Sequence, residues 1–135
     1  MGGWHAGLVA GCDARLAAIV LNIPGVCMQL IPEQAEHIWW RSFREAILAQ
    51  CATYLAMDQT PINLVNLRPV IPRENLLIIE GKYDLMVSRV HVEQLWEAWD
   101  RPEIWRLPYG HLTCGALPVL PGRILHWLAP RLDVA

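Results

Sequence analysis

The sequence predicts an α/β fold: about three parallel strands joined by crossover helices, with a long helical insert, forming a single domain over residues 1–135. Three observations predict it. Short runs rich in β-branched residues alternate with stretches of helical periodicity, the pattern of a parallel sheet with helical connections. The runs are continuously apolar rather than alternating, as suits strands covered on both faces. The chain, at 135 residues, is long enough for one domain and not two.

Each element has its own signal. Trp4 to Cys12 is rich in small residues and reads as a helix. Leu16 to Ile23 is an apolar run with β-branched content, closed by Pro24-Gly25. Pro32 then opens a long helix, with Glu33 and Glu36 suited to its N-terminus. Ile38, Trp39, Phe43, Ile47, Cys51, Tyr54 and Leu55 recur at three- and four-residue intervals and make one apolar stripe. Trp39 and Trp40 are adjacent, so one ring is expected to face outward. Residues 60–73 contain three prolines and read as a connecting loop. Asn75 to Glu80 is the second strand, ended by Gly81. Val87 to Asp100 is a helix that buries Val90, Leu95, Trp96 and Trp99. Glu103 to Leu107 is a short third strand, and Pro118 to Leu132 a final helix.

Composition limits the function classes. Apolar residues make up 54% of the chain and charged residues 18%, and mean hydropathy is +0.25. Average soluble domains are nearer ~45–50% apolar and ~25% charged. The chain therefore carries apolar surface in excess of its length, which suits hydrophobic faces that meet something else. No stretch approaches the roughly 20 apolar residues of a spanning helix, and the start has no basic-then-apolar leader pattern. A cytoplasmic protein without membrane association is the expectation. Net charge is −2, with no basic cluster to support nucleic-acid binding. Cys12, Cys27, Cys51 and Cys114 are widely spaced with no CxxC pair, and none of His5, His37, His91 and His126 has a second ligand at i+3 or i+4, so neither metal nor cofactor is expected.

Two loops carry the chemistry. Gly81-Lys82-Tyr83-Asp84 follows the second strand, and Pro108-Tyr109-Gly110-His111 follows the third. Functional groups in open α/β sheets gather at the carboxyl ends of strands. An aspartate there can accept the Nδ1 proton of a histidine, fix its tautomer and stabilise the imidazolium. Taken singly, Asp84 is equally a turn residue or helix cap, and His111 a loop residue.

Apolar strand, Gly-x-x-Asp, helix, short strand, Gly-His and terminal helix, from Asn75 to Leu128, together resemble the last third of an α/β-hydrolase. Met1-Gly2-Gly3 before a small-residue helix resembles the stretch just after the nucleophile in Gly-x-Ser-x-Gly-Gly, where the triad order is Ser, Asp, His. The resemblance implies that Asp84 and His111 are the triad acid and base. It also implies that Met1 comes directly after the missing serine and supplies an oxyanion-hole amide, and that Gly2 and Gly3 are elbow glycines. The strands ahead of the elbow are absent from the sequence. Ser42 lies inside the long helix and Ser88 reads as a helix start. Cys114, three residues past His111, is the best substitute on proximity alone, but a catalytic cysteine needs an electropositive, partly exposed setting and an inert thiol is the expectation, so no nucleophile is recognised. The implied function is a serine-hydrolase fragment acting on a small acyl substrate once completed. The alternatives are a non-catalytic remnant that self-associates through the edge of the Leu16–Ile23 strand, and a small doubly wound binding module. The Glu33–Met57 helix is a candidate lid, or packs on the sheet.

Overall fold

The computed structural model describes residues 2–36 and 38–132. Met1 and His37 lie outside the described residues, as do the side chains of Met28, Glu33, Gln34 and Tyr54. Three strands form one parallel sheet in the order β1 (Ile19–Asn22), β2 (Leu76–Gly81), β3 (Glu103–Leu107). The register sets Ile19 beside Leu76 and Leu77 beside Glu103. Helices α1 (Gly2–Ala10), α2 (Ile31–Ala35), α3 (Arg41–Leu55), α4 (Arg89–Ala98), α5 (His111–Gly115) and α6 (Leu120–Leu128) complete the fold. The expected α/β architecture, with crossover helices and a helical insert, is what the chain adopts.

The core explains the order. All six residues of β2 are buried, because strands flank it on both sides and α4 covers a face. Leu21, Leu76, Leu77, Ile78, Ile79, Val92 and Leu95 form the centre of the apolar cluster. Helix α1 lies on β1. Its closest approach is at Gly3, where a Cβ would stand 2.6 Å from the Asn22 carbonyl oxygen. Only glycine admits that contact without movement. Gly2 meets nothing within 4 Å.

Several boundaries differ from expectation. The first strand is pared to Ile19–Asn22, because β2 offers partners only from Leu76 onward. Ile23 then adopts a φ of 46° and turns the chain off the sheet, its amide still donating to the Ile79 carbonyl at 2.9 Å. A β-branched residue in that conformation is strained. The single helix from Pro32 is two helices, α2 and α3. The stripe does not stay together. Trp39 is 92% exposed, Trp40 64% and Phe43 53%, so both adjacent tryptophans face outward. The main contacts of α3 are with α2 and the Met28–Leu30 turn, rather than with the sheet. In α4, Val92, Leu95 and Trp99 form the buried side, and Val90 is exposed. The 60–73 loop holds 3-10 turns at Thr60–Ile62 and Leu64–Asn66. No helix among the described residues is long and apolar enough to cross a membrane.

Candidate active site

Asp84 and His111 meet. Their loops leave the carboxyl ends of neighbouring strands and are laced together by backbone bonds. The Lys82 amide donates to the Leu107 carbonyl at 2.8 Å, and the Tyr83 amide to the Tyr109 carbonyl at 3.1 Å. Gly81 makes this lacing sterically feasible, since a Cβ there would come within 2.7 Å of the Tyr109 carbonyl oxygen.

Asp84 divides its two oxygens between its own turn and His111. Oδ1 accepts the backbone amides of Met86 at 2.7 Å and Val87 at 2.9 Å, closing the turn that leads into α4. Oδ2 lies 2.8 Å from His111 Nδ1. This one residue thus serves both as a turn-closing group and as the histidine's partner. The carboxylate is 1% exposed and the imidazole 29%. A carboxylate is an acceptor only, so Nδ1–H is the donor, and in the neutral form of the imidazole Nε2 carries the lone pair.

His111 is the first residue of α5, a helical turn where the sequence predicts only loop. Thr113 Oγ1 accepts the Gly110 amide at 3.0 Å and donates to the Gly110 carbonyl at 3.3 Å, so the turn is clamped at its start. A hydroxyl three residues past a candidate cap is the legible signal, of the kind a capping box gives.

An apolar cavity of about 300 Å³ opens beside His111. Its walls come from α1, from the chain just after β1, from α2 and α3, and from the Asp84 loop. Sequence reasoning assigns none of Cys27, Ile47 and Cys51 to a site, since only the tertiary fold brings the insert over the strand ends.

Ser42 is exposed on α3. Ser88 occupies the N-cap of α4 without a side-chain capping bond. Cys114 is fully buried, and burial first, then the charge of Asp84, pushes its thiol up from the usual range. A raised thiol is the inverse of an activated one. Among the described residues, no three His, Cys, Asp or Glu side chains gather as a metal site.

A second polar cluster lies just behind the Asp84 loop. Glu80, on β2, has a side chain 1% exposed, and Arg106 Nε stands 3.1 Å from its Oε2 and Arg89 Nε 3.5 Å from its Oε1. Neither oxygen receives an aligned hydrogen bond. Burial, only partly offset by Arg106, raises this carboxyl above its ordinary range.

The fold is a partial hydrolase-like α/β fold. An esterase of Pyrococcus furiosus superposes with a TM-score of 0.65 at 16% identity, over 95% of this chain and 50% of the esterase. A hydrolase from Pseudomonas aeruginosa superposes with a TM-score of 0.54 at 18% identity, over 93% of this chain and 61% of that one. In sequence, the uncharacterized proteins Rv2627c and MT2702 of Mycobacterium tuberculosis are 31% identical over 113 residues, 82% of this chain. The chain spans 26% of the length of these relatives. No family profile matches it.

Proposed function

We propose that this chain is the acid- and histidine-bearing part of a serine hydrolase for carboxylic esters or related acyl compounds, with the nucleophile on sequence outside these 135 residues. The observation that carries the reading is the 2.8 Å contact between Asp84 Oδ2 and His111 Nδ1 at the ends of adjacent parallel strands. Asp84 is held by two backbone amides, so it orients the imidazole without moving itself. His111 Nε2 takes the proton of the nucleophile and returns it to the leaving group, while the buried carboxylate stabilises the imidazolium. The partial coverage of both hydrolase structures and the greater length of the sequence relatives support a nucleophile elsewhere. Gly3, closely packed where α1 meets the end of β1, fits the elbow assignment. Gly2 has no such requirement, and Met1 is part of the same proposal. The α2–α3 insert, lying over the cavity beside His111, takes the part of a lid.

The test is labelling by a tagged fluorophosphonate, which reports an activated serine whatever the acyl specificity. This chain remains unlabelled, with wild type and His111→Ala alike. The full-length Mycobacterium tuberculosis relative is labelled, and loses labelling when its residue aligned with His111 is replaced by alanine. A relative that stays unlabelled overturns the hydrolase reading. A chain labelled in a His111-dependent way overturns the missing nucleophile.

The free edge of β1, which pairs only with β2 among the described residues, favours a second reading. Such an edge pairs readily with another chain, and a non-catalytic remnant would self-associate through it. A monomer in light scattering at ~100 μM, far above usual interface dissociation constants, counts against that reading.

A further inference from the structure

Resting on the acyl-hydrolase reading, we infer that the cavity beside His111 binds an unbranched acyl chain of about eight to ten carbons, carbonyl end at the imidazole and methyl end against the insert.

Size and lining both argue for this. The cavity measures about 300 Å³. A dry apolar cavity of roughly half that volume accommodates benzene. Scaling by carbon number, and leaving space at the histidine for the carbonyl, gives about eight to ten carbons. Ile23, Cys27, Ile31, Ile47 and Cys51 present hydrocarbon and sulfur. Trp4 contributes only its ring, because its indole N–H already donates to the Ile62 carbonyl at 3.1 Å. The Cys27 thiol is turned toward Gln29 Oε1 at 3.9 Å. Among the described residues, the polar side chains in the wall other than the two thiols are Gln50 on α3 and His111, at one end. A ligand with several polar groups would lose hydration there without replacing it. One with a single polar end and a saturated tail would not. The strained turn at Ile23 has a use here, since it swings the chain off β1 and into the cavity wall.

The experiment is calorimetric titration of the 135-residue chain with sodium alkanoates of increasing length, kept below their micelle concentrations. Affinity is expected to rise roughly fourfold per added methylene up to decanoate, and to level off or fall by hexadecanoate. Ile47→Trp, which places a ring in the cavity, should weaken octanoate binding by at least tenfold while its circular dichroism stays that of wild type. A second readout needs no variant. Octanoate should slow alkylation of Cys51, in the cavity wall, and leave exposed Cys12 unaffected. Affinity independent of chain length, equal protection of Cys12 and Cys51, or a folded Ile47→Trp protein that binds as wild type would each overturn the assignment. If Ile47→Trp does not fold, the cysteine protection decides. Binding requires no nucleophile, so a failed titration leaves the Asp84–His111 reading standing, and a failed labelling experiment leaves the acyl site standing.

Discussion

Strand β2 and the insert that comes after β1 both lead to the surroundings of His111, and they are built on opposite terms. Every residue of β2 is buried, and the loop after it is tied to its neighbour by backbone bonds at 2.8 and 3.1 Å. The chain entering and opening α3 turns Trp39, Trp40 and Phe43 toward solvent. Precision is thus confined to the side that holds the Asp84–His111 pair, where, on the proposed function, small errors of position are costly. The side that covers the cavity makes few demands on its own packing. Segments with few buried apolar contacts open at the lowest free energy, which is what a cover over a binding cavity requires.

The largest expected effect lies on the precise side. In the complete hydrolase proposed above, Asp84→Asn should lower kcat by about 10⁴, because the amide cannot impose the tautomer that leaves Nε2 free. Asn Oδ1 can still accept the Met86 and Val87 amides, so the melting temperature should barely change. Turnover and thermal unfolding on the same preparation check both halves. A large fall in melting temperature would make Asp84 chiefly a turn-closing residue and blunt the contrast.

Next comes the strand itself. Ile78 is fully buried at the centre of the sheet. Ile78→Ala should cost about 3–4 kcal/mol in urea unfolding, from lost transfer energy and the cavity left behind. That is a large share of the roughly 5–15 kcal/mol available to a domain.

Much of this is legible in the sequence because burial leaves a local mark. The Glu103–Leu107 strand has its expected bounds, and β2 begins one residue later than expected. Apolar runs between breakers carry that information without reference to partners. The Asp84–His111 pair is legible too, since two strand ends in a parallel sheet leave their loops side by side. The insert is not. A helical stripe shows that a face is apolar but not what covers it, and here the stripe divides between solvent at Trp39 and Phe43 and the cavity at Ile47 and Cys51. Val90 departs from expectation for a simpler reason. Spacing from Val92 through Leu95 to Trp99 and from Val90 onward are both helical, and only the sheet decides which faces inward.

A smaller effect separates two kinds of buried charge. Asp84 is satisfied by aligned amides, whereas Glu80 is faced by guanidinium groups without aligned bonds. Its carboxyl is raised in the folded chain, so the native state binds its proton more tightly than the unfolded state. That contribution to stability is full below its ordinary value of 4.5 and is lost as pH rises through the folded value. Subtracting the Glu80→Gln stability profile from that of wild type should leave a term that declines with rising pH from about 4.5 upward. Chemical denaturation across that range is the measurement. A difference that rises with pH would mean that Arg106 and Arg89 outweigh burial, and that Glu80 is as well satisfied as Asp84.

The smallest expected effect tests the insert directly. Trp39→Ala, Trp40→Ala and Phe43→Ala remove the three largest exposed rings at the entry to α3. Because water already reaches them, each should change unfolding free energy by no more than about 0.5 kcal/mol, against the several expected at Ile78. Limited proteolysis should cut between residues 36 and 58 before any site in the sheet, in all three variants and in wild type. A cost at Trp39 or Trp40 well above that limit would place these rings under cover in solution, and α3 would then belong with the rigid part of the molecule. If the losses stay small while octanoate slows cleavage of the insert, the two regions are coupled through the cavity and not through their own packing.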